Sequence, residues 1–310
     1  MALLDRFYTR EDFHQSVEYA KVMEGIGWCS IPVDGSRFVI KPLGPIALSK
    51  MQRPRVINVN KIRELCRKLN VVHFILEPAP LSILIDKAGK KHVLSFLTPK
   101  DQMAAQKILR SCGLYKTNEH YAHTKTALID IASSLNDVIK SLPAKTRYNI
   151  KVAKRSEVSY ATTLFSAVTK KQKQDFFSLL TRWSKEKKIF GFSNDFLETV
   201  MNSFPTTGWL ITAYSQDEFL GAMMVFVHDR IGYYFYTATS SKGKLFHVPT
   251  GLTQEALKLS QEKGADIFDF CSVYDERYPN EHPRWKGFTT FKERFHPLSV
   301  YYPPSFARWF

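Results

Sequence analysis

Apolar and polar residues alternate along this chain with two periods, and the period changes mark its elements. Over residues 11–26 the apolar positions Phe13, Val17, Ala20 and Ile26 recur at helical spacing, and Gly27 follows as a stop. Residues 37–48 are strand-like but broken by Pro and Gly. Asn60 opens a helix to about Lys68 with Ile62, Leu65 and Leu69 on one face. Val71–Leu76 is a short β-branched run, read as a buried strand. Ile83–Ile85 and His92–Phe96 read as short strands around the turn Lys87–Lys90. Pro99 opens a helix over 100–111 ended by Gly113, and Ala127–Ile131 is a strand.

From there the helical period dominates. Ser134–Leu142 and Thr146–Ala153 read as helices separated by Pro143, and Val158–Thr163 as a strand. Helices are predicted over 171–187 and 194–203. Trp209–Tyr214, Phe219–His228 and Ile231–Thr239 follow as an antiparallel meander. A helix over Thr250–Lys263 is stopped by Gly264, and Ile267–Phe270 is a strand. Phe291–Phe295 and Val300–Tyr302 close the chain. Both halves read helix, strands, helix, strand. The fold class is α+β, with a mostly antiparallel sheet flanked by helices in each half. The order in the second half suits an acyltransferase of the GNAT (acyl-CoA N-acyltransferase-like) type. Two GNAT-like domains are expected, 1–132 joined by the tail 297–310, and 133–296.

Composition narrows the class. The 310 residues carry 44 Lys and Arg against 29 Asp and Glu, a net charge of +15. Such an excess favours polyanionic partners, or is a solvated basic surface. Lys140, Lys145, Arg147, Lys151, Lys154 and Arg155 fall close together, and Lys170, Lys171, Lys173, Arg182, Lys185, Lys187 and Lys188 follow. The positive charge therefore concentrates near the middle of the chain. No apolar run approaches the roughly 20 residues of a membrane span, and no signal peptide is visible. The 4 cysteines lie far apart with no CxxC, so reduced thiols and a cytoplasmic location are expected.

Several chemistries are not supported. The chain has no GxxxxGK[ST] loop, no GxGxxG after a strand, no HExxH and no GxSxG. His120 and His123 are three apart but not on a helix, so no metal site is expected. A coenzyme A enzyme of GNAT type presents an R/QxxGxG/A loop at a helix N-terminus, where backbone N–H groups hold pyrophosphate. The expected place here, Thr239–Gly251, has Lys242 and Lys244 but no RxxGxG. The order of elements fits while the coenzyme A signature is missing, which argues for a different acyl donor.

An ordered set of segments resembles the FemABX family of aminoacyl-tRNA-dependent peptidoglycan aminoacyltransferases. Gln15–Lys21 followed by Gly27-Trp28 resembles the family's opening helix. Leu142–Ala153 (LPAKTRYNIKVA) resembles its entry to the second domain. Tyr234–Ala238 followed by Pro249 resembles its central strand. Phe268-Asp269-Phe270 and Gly287–Phe295 (GFTTFKERF) resemble its closing signature. The set spans nearly the whole chain in order and implies two GNAT-like domains side by side with a cleft between them.

The resemblance also implies roles. The family's closing Phe-Lys pair falls on Phe291 and Lys292, the lysine lying near the transferred carbonyl. A fixed ammonium in a water-poor site can stabilise the oxyanion of aminoacyl transfer; Lys292 alone also reads as a surface lysine. The central tyrosine falls on Tyr236, read as an acceptor contact or as core. A carboxylate before proline falls on Glu77, which could orient an acceptor amine or end a strand. An aromatic of the second domain falls on Phe196, where the family's hydroxyl is lost. The Lys and Arg that bind a UDP-linked acceptor's diphosphate fall on Met23 and Phe192, neither able to pair with phosphate. Lys21 lies nearby but points elsewhere on the helix, so a lipid-linked muropeptide or another amine stays open.

Arg147, Lys151, Lys154 and Arg155 share one helical face. They are read as phosphate contacts for a tRNA donor, or as a solvated face. The aromatic tail Tyr301–Phe310 is expected to dock on the first domain, with peripheral membrane contact as the other reading. The expected activity is aminoacyl transfer from aminoacyl-tRNA to an amine of a peptidoglycan precursor peptide, needing no metal or cofactor. The rivals are an enzyme using acetyl-CoA or another acyl-CoA, and a non-catalytic RNA-binding protein.

Overall fold

Residues 2–188 and 193–310 are described in the structure, a computed structural model. The chain divides into two compact units. One holds the chain up to Thr124 together with Tyr301–Phe310; the other is Lys125–Val300.

The first unit opens with helices α1 (Leu3–Thr9) and α2 (Val17–Gly25). Ser16 starts α2 by accepting the Tyr19 N–H at 3.0 Å, a side-chain cap for an otherwise orphaned donor. Strands β1 (Cys29–Val33), β2 (Ser36–Leu43) and β3 (Ile46–Gln52) form an antiparallel meander. The sequence pattern showed one broken strand at 37–48; the break is the turn at Gly44, whose φ is +70°, joining two full strands. The chain then runs through β4 (Val56–Asn58) and α3 (Val59–Lys68), capped by the Asn58 side chain on Lys61 N at 3.2 Å. Strand β5 (Val71–Glu77) returns parallel to β3. Strands β6 (Leu81–Ile85) and β7 (Lys91–Ser95) make a hairpin that joins β4 in a small three-stranded sheet. Helix α4 (Pro99–Ser111) and strand β8 (Tyr115–Thr117) follow. The last strand of the chain, Ser305–Trp309, lies between β5 and β8 and is antiparallel to both. One face of this sheet carries a core built from Phe38, Met51, Phe74, Leu76 and Phe306, closed by Ile62 of α3 and Leu109 of α4.

The second unit begins with β9 (Lys125–Asp130), α5 (Leu135–Ser141), α6 (Ala144–Arg155) and β10 (Ser159–Leu164). Helices α7 (Lys170–Lys187) and α8 (Asn194–Ser203) precede the meander β11 (Gly208–Ser215), β12 (Glu218–His228) and β13 (Ile231–Thr239). Helices α9 (Ser241–Leu245) and α10 (Val248–Glu262) cross to β14 (Ile267–Asp269), parallel to β13. Helix α11 (Lys286–Glu293) and β15 (Leu298–Tyr301) complete it. The sheet order is β10-β11-β12-β13-β14-β9-β15. Its core joins Ile150 of α6, Leu252 and Ala256 of α10, and Ile211, Met223, Phe268 and Phe270 of the sheet.

The two units therefore share one plan: an antiparallel meander, a helical crossover, and a parallel return strand. This is the expected α+β class, with mostly antiparallel GNAT-like sheets whose return strands are parallel. One local reading differs. The strand expected over Ala127–Ile131, inside a first domain 1–132, runs over Lys125–Asp130 and pairs with Ile267–Asp269, so it lies in the second unit's sheet. Residues 286–293 form a helix, because Phe288, Phe291 and Phe295 recur at helical spacing around the buried Thr289 and Lys292.

Phe306 is 1% exposed and fills the first unit from the far end of the chain. Phe306→Ala is expected to destabilise that unit by about 3–5 kcal/mol, read by urea unfolding. A loss below about 1 kcal/mol would show that the last strand adds no core.

Candidate active site

Strands β13 and β14 pair over three positions only, Ile231 with Ile267, Gly232 with Phe268 and Tyr233 with Asp269. Beyond them β13 runs on to Thr239 without this partner. At the same place β13 breaks register with β12. Val225 faces Tyr234 and Met224 faces Tyr236, so Phe235 is an extra residue on β13. Such a bulge bends a strand and leaves one residue outside the ladder. The parted strands and the bulge together open the sheet at Tyr234–Tyr236.

Lys292 occupies the return side of this opening. Its side chain is 6% exposed. Its Nζ donates to the carbonyl oxygens of Phe270 at 2.7 Å and Ser272 at 2.8 Å, the residues that continue β14. The rings of Tyr234 and Phe288 lie 5.0 and 4.9 Å from the same nitrogen. Cys271, between the two acceptors, has a φ of 56°. That left-handed turn brings the carbonyls on either side onto one ammonium. Asp269 braces the turn, accepting the Cys271 N–H at 2.6 Å and the Thr126 hydroxyl. Burial pushes the Lys292 ammonium down to about 8, opposed by Cys271 and Asp269. The group is thus mostly charged near neutrality. Two of its three N–H bonds are spent on carbonyls, and no third acceptor is found among the described residues. The remaining donor is available for an oxygen that gains negative charge.

Tyr236 and Phe196 meet edge to face with ring centroids 6.4 Å apart. The structure thus joins two residues singled out separately in the sequence. Phe291 packs against Phe295 at 5.5 Å and borders the core. The reading of Lys292 as a surface lysine is overturned, since α11 turns it inward among aromatic rings. The clue was legible: Lys292 sits among Phe288, Phe291 and Phe295, a cation in an apolar helical pattern. The bulge and the parting of the strands left no such trace, because the aromatic run Tyr233–Tyr236 looks like an ordinary strand.

Helix α6 carries Arg147, Lys151, Lys154 and Arg155 exposed, while Thr146, Asn149, Ile150 and Ala153 are buried. The helix has no acidic residue. Arg147 is partly committed: its guanidinium donates to the Lys140 and Leu142 carbonyls at 2.9 and 2.8 Å.

In the first unit Glu77 is 2% exposed. Its Oε1 accepts the N–H groups of Tyr121 at 2.8 Å and Ala122 at 2.9 Å. Its Oε2 has no partner. Met23 is 3% exposed and belongs to the core, whereas Lys21 points to solvent from the same helix. Phe192 lies outside the described residues. His120 Nδ1 meets Ser305 Oγ at 2.6 Å, and the His123 carbonyl accepts from Arg53.

Residues 144–281 match the family model described as Acetyltransferase (GNAT) domain. No curated protein matches the chain in sequence at a significant level. Among solved structures, FemX superposes with a TM-score of 0.76 at 11% identity, over 98% of this chain and 94% of that one. The L-PGS structure from Bacillus licheniformis gives 0.57 at 10% identity, over 93% and 86%. The C-terminal domain of a lysylphosphatidylglycerol synthetase described as putative, from Agrobacterium fabrum, gives 0.56 at 12% identity, over 94% and 87%. The fold is FemX-like.

A lysine whose pKa is depressed by folding holds fewer protons folded than unfolded between about 8 and the free value of 10.5. Stability therefore rises with pH through that window. Wild-type Tm is expected to gain more between pH 8 and 10 than that of Lys292→Met, while Lys50 contributes in the same sense to both proteins. Equal slopes would show that the Lys292 ammonium is not desolvated.

Proposed function

We propose that this protein is an acyltransferase that moves the aminoacyl group of an aminoacyl-tRNA onto an amine, taken to belong to a peptidoglycan precursor peptide. The observation that carries the reading is the buried Lys292 ammonium, held by two carbonyls where β13 parts from β14. The FemX-like fold supports it. In the step, the acceptor nitrogen attacks the ester carbonyl carbon and a C–N bond forms. The carbonyl oxygen becomes an oxyanion, and Lys292 stabilises it with its free N–H. Collapse breaks the ester C–O bond. The ribose oxygen of the tRNA terminus leaves and takes up the proton that the amine gives up. Tyr236, whose ring meets that of Phe196, is the side chain we assign to the acceptor contact.

Helix α6 is the proposed contact for the donor's phosphates, through Lys151, Lys154 and Arg155. Met23 stands where the resemblance puts a phosphate-binding lysine, and it is buried in the core. The acceptor is therefore not taken to be UDP-linked.

The match to a GNAT family model favours coenzyme A as a rival donor. The residues at the start of α10 fit pyrophosphate poorly. Pro249 has no N–H, and the N–H groups of Thr250 and Gly251 both go to the His247 carbonyl, at 2.9 and 3.1 Å. The Tyr160 phenol lies against Gly251, filling the space beside this first turn. Few backbone donors are left for an anion there.

Lys292→Met is expected to lower kcat for transfer from charged tRNA by roughly 10²–10³-fold and to leave tRNA affinity unchanged. The wild-type rate should fall as pH rises through about 8, where Lys292 loses its proton. Unchanged turnover in Lys292→Met would remove this residue from the mechanism. Replacing Lys151, Lys154 and Arg155 together by Ala is expected to weaken tRNA binding and cut the slope of log K against log salt by about 3. Protection from thermal unfolding by acetyl-CoA and not by tRNA would establish the rival donor.

A further inference from the structure

The transfer chemistry makes no use of the aromatic last strand. Trp309 is 70% exposed, and Tyr115 on the neighbouring edge strand β8 is 58% exposed. Ala307 pairs with Tyr115, and Trp309 lies two residues further along its strand. Side chains alternate along a strand, so these three share one face of the sheet. It is the face opposite Phe306, which belongs to the core. Trp309 pairs with His73 on the other neighbour, β5. There the imidazole covers one face of the indole, with ring centroids 4.0 Å apart and planes 22° apart. The other indole face is left open on the side of β8.

A cleft of about 450 Å³ lies there, within the size range of ligand sites. Tyr115 and Trp309 are two of its walls, Ala307 lies between them, and Gly113 borders it without a side chain. Diagonal neighbours on an antiparallel pair stand roughly 7–8 Å apart. A flat ring that touches a wall on either side at roughly 3.5–4 Å needs the same width. The Ala307 methyl group leaves the space between the walls unfilled. A pyranose chair is thicker than an aromatic ring, so the slot favours a flat ligand.

The charged residues of the cleft narrow its class. They are Lys116, Glu119 and Arg308. Arg308 is committed, donating to the Cys112 carbonyl at 3.2 Å and lying over the Phe310 ring. Glu119, 3.9 Å from His73 Nδ1, offers a carboxylate oxygen to the amino edge of a base. Lys116 is exposed, and no ion-pair partner for it is found among the described residues. A free ammonium beside a slot for a flat ring calls for a ligand both aromatic and anionic, which is the chemistry of a nucleotide. Walls this exposed enclose only part of a ligand. A free nucleotide needs deeper burial, whereas a nucleotide within a strand gains further contacts through its neighbours on a chain of net charge +15.

We infer that this cleft of the first unit stacks one unpaired base of a nucleic-acid strand between Trp309 and Tyr115, with an adjoining phosphate on Lys116. The His73 ring fixes the indole before the base arrives, which lowers the ordering cost of stacking. Every base has a π-face, so the slot takes RNA and DNA alike. That the strand belongs to the donor tRNA rests on the proposed function; the stacking site is read from the first unit alone.

The probes are fluorescein-labelled hexa-adenylate, as RNA and as DNA, and an abasic hexamer with the same backbone charge, bound to the full chain and read by anisotropy. Wild type is expected to bind hexa-adenylate roughly 5–100-fold more tightly than the abasic hexamer. Trp309→Ala removes a wall, and Ala307→Leu fills the slot while leaving both walls in place. Each is expected to bring hexa-adenylate to the abasic level and to leave abasic binding unchanged. If Trp309→Ala fails to fold, Ala307→Leu carries the same comparison. Lys116→Gln is expected to weaken all hexamers alike and to lower the slope of log K against log salt by about 1. Equal binding of hexa-adenylate and the abasic hexamer by wild type, or a base preference that persists in the folded variants, overturns the inference. Displacement of hexa-adenylate by chitobiose also overturns it, because the slot would then hold a pyranose. A Trp309-dependent base preference in a protein that transfers nothing from charged tRNA would sink the proposed function and leave this site standing. Transfer by a protein with no base preference would do the reverse.

Discussion

The backbone ladder between β13 and β14 lasts three residue pairs and then stops, and the proposed site depends on that interruption. Carbonyls in a buried sheet that lose their strand partner need another donor. The Phe270 and Ser272 carbonyls find theirs in Lys292. A hydrogen bond to a charged donor is stronger than a neutral one, and here it holds the parted strand end while fixing an ammonium in place. One side chain thus satisfies both orphaned carbonyls, so its burial is tolerated. The ring faces of Tyr234 and Phe288 add attraction from the two remaining sides.

The first unit shows what the same plan does without the interruption. Its meander and return strand match those of the second unit, yet β3 and β5 pair from Ala47 with Val71 to Gln52 with Glu77, with one register shift at Ala47/Leu48 and no early end to the ladder. No opening forms in the sheet, and the unpaired polarity appears on a sheet face, at the Gln52 side chain and Glu77 Oε2. A shared architecture therefore carries two different arrangements of buried charge. The fold alone would not have distinguished them.

The net charge of +15 divides in the same physical terms. Lys50 and Lys292 count toward it but are buried, so they add little to a field felt by a distant polyanion. Arg147 is exposed but tied to two carbonyls at the end of α5. Lys151, Lys154 and Arg155 stay on the solvent face of α6, free to follow phosphates. Positive charge on this chain is thus of two kinds, mobile and solvated on α6, fixed and desolvated at Lys50 and Lys292.

Much of this was legible in the chain. Helices α3, α4, α7, α8 and α10 and the meander β11–β13 follow from local period, caps and stops, which act over a few residues. The shared face of Arg147, Lys151, Lys154 and Arg155 followed from helical spacing alone. Whatever depends on which strand meets which did not. A period of two tells which side of a strand is buried but not its neighbour. The pairing of Ser305–Trp309 with Val71–Glu77, the move of Lys125–Asp130 into the second unit's sheet, and the parting of β13 from β14 are all choices of partner made by distant segments. They decide that Lys292 faces two carbonyls and that the Gln52 side chain and Glu77 Oε2 stand side by side with no hydrogen-bond partner among the described residues. Local sequence set the elements and their faces. Tertiary pairing alone decided which polar groups are left buried and unsatisfied, because that is a property of neighbours and not of residues.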